Sequence, residues 1–359
     1  MLDDAPNLDE LQSLICQLVE IESVNPDLVP GGAGEGAIAG FVSSWLRDAG
    51  LEVSIVDPVP GRPSVVGVRR GAGGGRSLML NAHMDTVGAG GMADAFSPVV
   101  RDGRVYGRGA YDMKASLAAI MLTASRAPWF KGDLIICAVA DEEVASLGTA
   151  AVLEKFHADF GLVTEPTELR LCLAHKGFVW LEVETKGVAA HGSRADIGVD
   201  AIALMAPTLV RVKDLENTLR VGRRHPLLGT GSIHASLIEG GQEFSTYPSR
   251  CVLKIERRTI PGESGKDEIE GARVLLERPP SEVAPEHPLA VAVAEAAGDP
   301  ERIGVAYWMD MALMNEAGIP TVCYGPAGEG AHADVEWVDL ASVERCIEVY
   351  LATAEKLCN

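Results

Sequence analysis

The chain has 359 residues, of which 47% are hydrophobic and 23% charged, and its formal net charge is −20. This size allows two domains with a large core, and the acidic balance argues against nucleic acid or an anionic membrane as a partner. Neither an uninterrupted run of 18 apolar residues nor a secretory signal pattern is found, so the sequence predicts a cytoplasmic protein. The seven cysteines include no CxxC pair and are interpreted as buried free thiols.

The first half of the chain alternates helical and strand patterns. Apolar residues at helical spacing predict helices at 8–21, 35–49, 113–126 and 148–156. Short apolar or β-rich runs predict strands at 51–56, 64–68, 77–82, 134–140 and 160–164. This alternation predicts an α/β fold with a mostly parallel sheet and helices on both faces.

The pattern changes at about residue 175. A strand at 178–187, a helix at 199–214 and strands near 230–238, 250–257 and 272–277 follow one another, with room after Pro261 for only a truncated second helix. This order predicts a ferredoxin-like α+β domain at 175–284, inserted into a larger domain formed by 1–174 and 285–359. The insert contains 15 Lys and Arg against 15 Asp and Glu, so the outer segments carry the whole net charge.

The last part of the chain returns to the α/β pattern. Helices are predicted at 288–297, 309–317 and 340–357, and a strand at 320–325. The outer segments therefore predict one continuous α/β domain.

Several potential metal ligands follow predicted strands or glycine-rich turns. His83 and Asp85 lie two residues apart at a strand end, so their side chains leave the same face and Asp85 is able to accept the second N–H of a metal-binding His83. The other candidates are Asp112 after the turn GRGAY, Glu142 and Glu143 after a buried strand, Glu165 in LVTE, and His332 after GPAGEG, where Gly325 and Gly328 would let backbone approach a ligand. Each motif alone also has an ordinary interpretation as a surface pair, a helix N-cap, a solvated acidic turn or a plain loop.

In this order, the motifs resemble the di-zinc amidohydrolase and metallopeptidase family of acetylornithine deacetylase, succinyl-diaminopimelate desuccinylase, aminoacylase and glutamate carboxypeptidase. The resemblance runs from about residue 8 to about residue 357 and implies a zinc-peptidase-like fold that binds two divalent ions. It implies that Asp112 bridges the ions, with His83 and Glu165 on one and Glu143 and His332 on the other. The implied metal is zinc, and cobalt and manganese are also compatible with these ligands. A cis peptide at Asp112–Met113 is implied as well.

The resemblance also implies catalytic roles. Glu142 matches the general base that acts on a metal-bridging water, and Asp85 matches the clamp on His83. The insert matches a lid and dimerisation domain, in which His191 would reach the active site of the partner subunit in a homodimer and Arg258 would bind a substrate carboxylate. The alternatives are a surface or capping histidine and a structural salt bridge.

Two departures from the family pattern affect the expected substrate. Ser245, in GGQEFS, stands where the family often has an asparagine that contacts the substrate carbonyl. Trp308, between Tyr307 and Met309, occupies a position where small residues are common in the family. These bulky groups favour an apolar subsite, and thus a hydrophobic acyl or side chain over a succinyl group.

The predicted function is metal-dependent hydrolysis of the amide bond in an N-acyl amino acid. A carboxypeptidase or dipeptidase of the same family would use the same chemistry and remains an alternative. Two further alternatives are a non-catalytic metal-binding partner protein and an aminopeptidase-like enzyme that does not dimerise, the latter because the second helix of the insert is short. The expected partners are a small-molecule substrate and a second copy of the chain.

Overall fold

The structure is a computed structural model that describes residues 8–359. These residues form two compact units: unit 1 contains the described residues up to Leu173 together with Val283–Ile303 and Met309–Asn359, and unit 2 contains Ala174–Glu282 and Gly304–Trp308. The short segment Gly304–Trp308 thus groups with the insert although it lies well beyond residue 284 in the chain.

The helices and strands are numbered here in chain order. The helices are α1 (Leu8–Glu20), α2 (Gly36–Asp48), α3 (Ala115–Arg126), α4 (Leu147–Leu153), α5 (Ala201–Val221), α6 (Pro288–Ala297), α7 (Met311–Glu316) and α8 (Leu340–Cys358). The strands are β1 (Glu52–Val56), β2 (Ser64–Arg69), β3 (Leu78–His83), β4 (Val99–Arg101), β5 (Arg104–Tyr106), β6 (Leu134–Val139), β7 (Phe160–Val163), β8 (Leu171–His175), β9 (Gly177–Lys186), β10 (Ser232–Gly240), β11 (Arg250–Thr259), β12 (Arg273–Arg278), β13 (Ser281–Glu282), β14 (Arg302–Val305), β15 (Thr321–Cys323), β16 (Gly328–Glu329) and β17 (Trp337–Asp339).

The main sheet of unit 1 runs in the order β1-β2-β6-β3-β7-β15-β8. The four central strands β6, β3, β7 and β15 are parallel to one another, whereas β1, β2 and β8 pair antiparallel with their neighbours. The α/β fold is confirmed, but the sheet is mixed rather than mostly parallel. Parallel pairing is confined to the strands that are joined by crossover connections, as geometry requires.

Helices cover both faces of this sheet because strand residues alternate in direction. Leu78, Leu80 and Ala82 of β3 belong to a core that also contains buried residues of α1, α2, α3, α6 and α8. Asn81 lies on the opposite face, where its amide donates to the Thr149 hydroxyl of α4 at 3.2 Å. The predicted two-sided covering is therefore present.

A second, smaller sheet of unit 1 has the order β16-β17-β5-β4 and is antiparallel throughout. The sequence patterns did not predict it, because its strands are only two or three residues long. Trp337 of β17 lies opposite Tyr106 of β5. This pairing brings the chain just before Asp112 beside the chain just after His332.

Unit 2 contains the antiparallel sheet β10-β11-β9-β12, against which α5 packs. Asp200 caps α5, since its carboxylate accepts the backbone N–H groups of Ile202 and Ala203. Within the described chain, no helix lies between β11 and β12, so the truncated second helix expected there is absent altogether.

Two sequence-based expectations concern the described residues as a whole. No helix among them has the length and apolarity needed to cross a membrane. The seven cysteines are free thiols, six of them buried and Cys16 partly so.

Candidate metal and catalytic centre

The candidate ligands meet because neighbouring parallel strands end at one edge of the main sheet. His83 is the last residue of β3, Glu142 and Glu143 follow β6, Glu165 follows β7, and the loop after β15 leads to His332. The order β6-β3-β7-β15 makes these strands adjacent, so the loops at their carboxyl ends converge. This edge is where open α/β sheets place their binding sites.

Asp112 lies between the two imidazoles. Its Oδ1 is 3.1 Å from Nε2 of His83, and its Oδ2 is 3.4 Å from Nε2 of His332. Nε2 of His332 also lies 3.1 Å from Oε2 of Glu143, and Nε2 of His83 lies 3.6 Å from Oε1 of Glu165. Each oxygen of one carboxylate therefore faces a different histidine, which is the arrangement that a bridging ligand needs.

The loop that carries Asp112 has an irregular backbone. A single turn at Ala110–Lys114 precedes α3, and the Asp112–Met113 peptide is cis, as the family resemblance implies. Gly109 has φ +77°, and a Cβ there would lie 2.7 Å from Cγ2 of Thr86. The glycine before this turn is thus required by both conformation and space.

Glu142 and Glu143 differ in their contacts. Glu143 is engaged by His332, whereas the Glu142 carboxylate has no hydrogen-bond or ion-pair partner within residues 8–359. Potential ligand atoms of Glu142, His83 and Glu165 nevertheless all lie within 4.8 Å of one another, as do those of His83, Asp112 and Glu143. The contacts and distances of Glu142 are thus compatible with a metal ligand and with a free base.

Asp85 contacts its neighbours differently from the expected clamp. The closest acceptor to Nδ1 of His83 is the backbone carbonyl of Asp85 at 2.9 Å, whereas its carboxylate Oδ1 is 3.7 Å away. The carboxylate accepts instead the backbone N–H groups of Glu142 at 3.1 Å and Glu143 at 3.2 Å. One residue therefore orients His83 through its carbonyl and the two glutamates through its side chain.

A buried layer supports these residues from behind. Nδ2 of Asn25 donates to Asp85 at 2.8 Å and to Asp141 at 3.0 Å. Arg62 donates to Asp141 at 2.9 Å and forms a two-pronged ion pair with the fully buried Glu35 at 2.7 and 2.8 Å. Asp141 directly precedes Glu142 and has φ +68°. The backbone that presents the glutamates is thus fixed by side chains from two other loops.

The pKa shifts in the cluster reflect burial of the carboxyl groups first, and their neighbouring charges and hydrogen bonds after it. Burial, followed by the charge of Glu165, raises the pKa of Glu142 well above its ordinary value. Burial also raises the pKa of Glu165 and of Glu143. Burial would raise the pKa of Asp112 too, but hydrogen bonds from His332 and His83 outweigh it and lower the pKa. Hydrogen bonds to Asp112 and Glu143 raise the pKa of His332 to about 10.

The donor set fits divalent cations. Four carboxylates converge on two imidazoles, so the acidic groups outnumber the basic groups of the cluster. Imidazole nitrogen and carboxylate oxygen are the donors that zinc accepts, and the group spans a few ångströms, as a paired site requires.

Gly325 and Gly328 contact protein atoms. A Cβ on Gly325 would lie 2.0 Å from the carbonyl oxygen of Glu165, and a Cβ on Gly328 would lie 2.4 Å from the carbonyl oxygen of Trp337. The close approach that these glycines permit is therefore to neighbouring backbone. Packing explains both positions without a substrate.

The remaining predicted residues lie in unit 2. His191 forms an isolated bridge with Thr246, and the N–H of Gly192 donates to the Ser245 carbonyl at 2.6 Å, so the motifs containing His191 and Ser245 are adjacent. His191 is exposed, and its Nδ1 lies 2.9 Å from the Ser193 hydroxyl.

Arg258 and Trp308 both contact Phe178 of unit 2. The Arg258 guanidinium lies 5.2 Å from the Phe178 ring centre and is paired with Glu256 at 2.9 Å. Trp308 packs edge-on to Phe178 and donates its indole N–H to the Pro279 carbonyl at 3.1 Å. The ion pair with Glu256 matches the structural alternative for Arg258, whose side chain is still 30% exposed.

Sequence reasoning missed the residues of the supporting layer. These residues contact candidate ligands or the loops that carry them, but no recognisable spacing relates them to those ligands in the sequence. They are Asn25, Arg62, Arg108, Asp141 and Glu336. The available signal was local: Arg108 is a charged residue between two glycines, and Glu336 follows His332 by four residues.

A carboxylate and imidazole cluster at the carboxyl edge of a mixed α/β sheet is typical of metal-dependent hydrolases. Residues 79–356 match the family model described as Peptidase family M20/M25/M40. The chain belongs to this family, and it is an enzyme of the metallopeptidase and amidohydrolase type.

Three relatives are distant in sequence but match over nearly their full length. The chain is 28% identical to acetylornithine deacetylase of Myxococcus xanthus, covering 98% of both proteins. It is 27% identical to N-formyl-4-amino-5-aminomethyl-2-methylpyrimidine deformylase of Bacillus subtilis, covering 95% of this chain and 92% of that one. A tripeptidase structure from Staphylococcus aureus shares the fold with a TM-score of 0.81 at 21% identity, covering 98% and 99% of the two chains.

Proposed function

We propose that the protein hydrolyses the amide bond of N-acyl amino acids, in the manner of a deacetylase or aminoacylase. The support is the ligand geometry together with full-length similarity to an enzyme named acetylornithine deacetylase. The Bacillus subtilis relative is named a deformylase, so acyl removal from nitrogen recurs among the relatives while the acyl group differs.

We propose that two divalent ions, zinc being the expected metal, bind at the cluster. His83 and Glu165 would hold one ion, Glu143 and His332 the other, and Asp112 both. When bound, such ions polarise a substrate carbonyl and lower the pKa of a water from about 15.7 toward about 7. Asp85 would hold His83, Glu142 and Glu143 in the orientation that metal binding and hydrolysis need.

Glu142 is the proposed general base, and its unengaged carboxylate is the observation that carries the proposal. It takes a proton from the attacking water as the water oxygen bonds to the amide carbon. The C–N bond then breaks, and Glu142 delivers the same proton to the leaving nitrogen, so that a carboxylic acid and an amine are formed.

A substitution of Glu142 tests this role. Glu142→Gln keeps the shape of the side chain but cannot accept the proton, so turnover should fall by roughly 10²–10⁴-fold while both metal ions remain bound. Metal content is measured beside the rate. Loss of a metal ion would instead make Glu142 a ligand, and near-normal turnover would exclude it as the base.

The substrate class needs a separate assay. After chelation and reloading with zinc, cobalt or manganese, the enzyme is given acetyl, succinyl, long-chain and aromatic N-acyl amino acids and dipeptides. We expect preference for apolar acyl groups, because Trp308 and its neighbours are bulky. Preference for a succinyl substrate would refute that specificity, and preference for dipeptides would favour a dipeptidase or carboxypeptidase.

Two further proposals rest on the family resemblance. His191 and Arg258 are proposed as substrate-contacting residues of unit 2, and the chain is proposed to form a homodimer through this unit. A cytoplasmic location is a separate proposal that rests on the sequence patterns. Solution mass and the substrate dependence of Arg258→Ala would test the first two.

A further inference from the structure

Two buried charged residues outside the predicted ligand set connect the loops that carry Asp112 and His332. Arg108 and Glu336 are each 1% exposed, and Nη1 of Arg108 lies 2.7 Å from Oε2 of Glu336. Arg108 precedes Asp112 by four residues, and Glu336 follows His332 by four. The pair therefore joins two segments more than 200 residues apart in the chain.

Glu336 holds the loop of Asp112 through backbone hydrogen bonds. Its Oε1 accepts the N–H groups of Tyr111 at 2.9 Å and Asp112 at 3.0 Å, and its Oε2 accepts that of Gly109 at 3.0 Å. With Arg108 included, four donors converge on one carboxylate. The position of the Asp112 backbone is thus set by a side chain from the histidine loop.

Arg108 holds the loop of His332 in return. Its Nη2 donates to the carbonyl of Ala333, the residue directly after His332, at 2.9 Å. Its Nε donates to the carbonyl of Gly88 at 3.0 Å, which ties the same guanidinium to the segment after β3. Each of the two loops is therefore fixed by a side chain that belongs to the other.

General stability does not explain such a pair, because the desolvation cost of a buried ion pair usually cancels its attraction. Its contacts indicate a positioning role instead. They fix the backbone of Asp112 and of the residue directly after His332, and the side chains of Asp112 and His332 lie 3.4 Å apart. His332 itself has φ +62°, a conformation that needs support from its surroundings.

We propose that Arg108 and Glu336 are positioning residues that set the separation of Asp112 and His332 and thereby the affinity of one of the two metal positions. This inference rests on the proposed function, because it assumes that these two residues bind metal. It concerns the ion held by Glu143 and His332, since the ion held by His83 and Glu165 shares only Asp112 with the paired loops.

The test is a zinc titration of the metal-free enzyme by calorimetry and metal analysis. Both oxygens of Glu336 accept N–H groups, so in Glu336→Gln either orientation of the amide directs its NH₂ group at other N–H donors. Because donors do not bond to donors, the two loops should separate. We expect one of the two zinc ions to bind roughly 10–100-fold more weakly, with a smaller change for the other, which is the range found when residues behind metal ligands are changed.

The control is Glu263→Gln in unit 2. Glu263 also pairs with a buried arginine, with 3.0 Å between its Oε2 and Nη2 of Arg257, but it contacts none of the candidate ligands. Both zinc affinities of this variant should equal those of the wild type. Unequal loss in Glu336→Gln beside an unchanged control is a result that a general packing defect would not produce.

A second variant decides the question if Glu336→Gln does not fold. Arg108→Lys keeps the charge opposite Glu336 but lacks the fork that reaches the carbonyls of Ala333 and Gly88, so it should weaken the same ion. Unchanged affinity for both ions in a folded variant would overturn the positioning role. If the wild-type enzyme binds fewer than two zinc ions, the proposed metal centre fails instead, which separates the two outcomes.

Discussion

Substitution of Arg62 by methionine should destabilise the protein strongly, because it removes the counter-charge of two carboxylates with no access to water. The Arg62 side chain is 8% exposed, and those of its partners Glu35 and Asp141 are both 0% exposed. Removing one member of a buried ion pair typically costs about 3–5 kcal/mol, since the remaining charge keeps its desolvation penalty. We expect a loss of about this size in the free energy of unfolding at pH 7.

Arg70→Met provides the matched comparison. Arg70 also contacts two carboxylates, Glu52 at 2.9 Å and Asp133 at 2.7 Å, but its side chain is 58% exposed. Water solvates these charges when the arginine is removed, so the expected loss is only about 0–1 kcal/mol. Urea unfolding of both variants in chelator measures the difference. Equal losses in the two variants would refute the argument from burial.

The pH dependence of the Arg62→Met variant has a defined sign. Burial already raises the pKa of Glu35 in the wild type, although the hydrogen bond from Arg62 opposes the rise. A group whose pKa is raised by folding contributes stability at low pH that is lost as the pH rises through the folded pKa. Without Arg62, folding raises the pKa of Glu35 further. The stability that the variant lacks relative to the wild type should therefore be small near the ordinary pKa of a glutamate and should increase as the pH rises to neutral.

Two further changes give defined outcomes. Gly330→Ala should destabilise the protein by more than about 2 kcal/mol in urea unfolding, because Gly330 has φ +91° and its Cβ would lie 1.8 Å from the Val335 carbonyl oxygen. Gly318→Ala, where φ is +78° and nothing lies within 4 Å, should cost only the conformational term of about 1–2 kcal/mol, and similar losses would contradict the steric argument. Burial lowers the pKa of Lys114 from 10.5 to about 7, although Glu336 and Glu22 oppose it, so charged lysine favours the unfolded state in this range. Wild-type stability relative to Lys114→Met should therefore rise by up to about 1.4 kcal/mol per pH unit between those values, and a flat difference would show that Lys114 is not buried uncharged.

The sequence predicted three of the candidate ligands from their position at the ends of recognisable strands. His83 ends a fully buried strand, and Glu143 and Glu165 each follow one, so the α/β pattern and the motif point to the same edge of the sheet. In a parallel sheet, the distance between two strand ends depends on the order of the strands in the sheet and not on their separation along the chain. Local sequence was thus enough to single out these candidate ligands, and pairing of β6, β3, β7 and β15 accounts for their convergence.

Other features had no signal of this kind. The periodicity of a buried strand is the same in parallel and antiparallel pairing, so the antiparallel β2 was not distinguished from the central strands. The sheet β16-β17-β5-β4 has strands too short to show a period. The contacts of Asp85 with Glu142 and Glu143 were likewise inaccessible, because they depend on how a loop folds back over a strand end.

The buried arginines explain how a cluster of carboxylates remains available for metal. Asp141 and Glu336, which only support the site, each have a buried guanidinium within 2.9 Å. Among residues 8–359, the basic groups paired with Glu143, Glu165 and Asp112 are imidazoles, and burial raises the pKa of the two glutamates. An arginine stays protonated at any physiological pH and does not coordinate metal, so it neutralises the supporting layer permanently. The carboxylates that no arginine neutralises are therefore the ones that face the proposed ions, and their charge is available to bind metal.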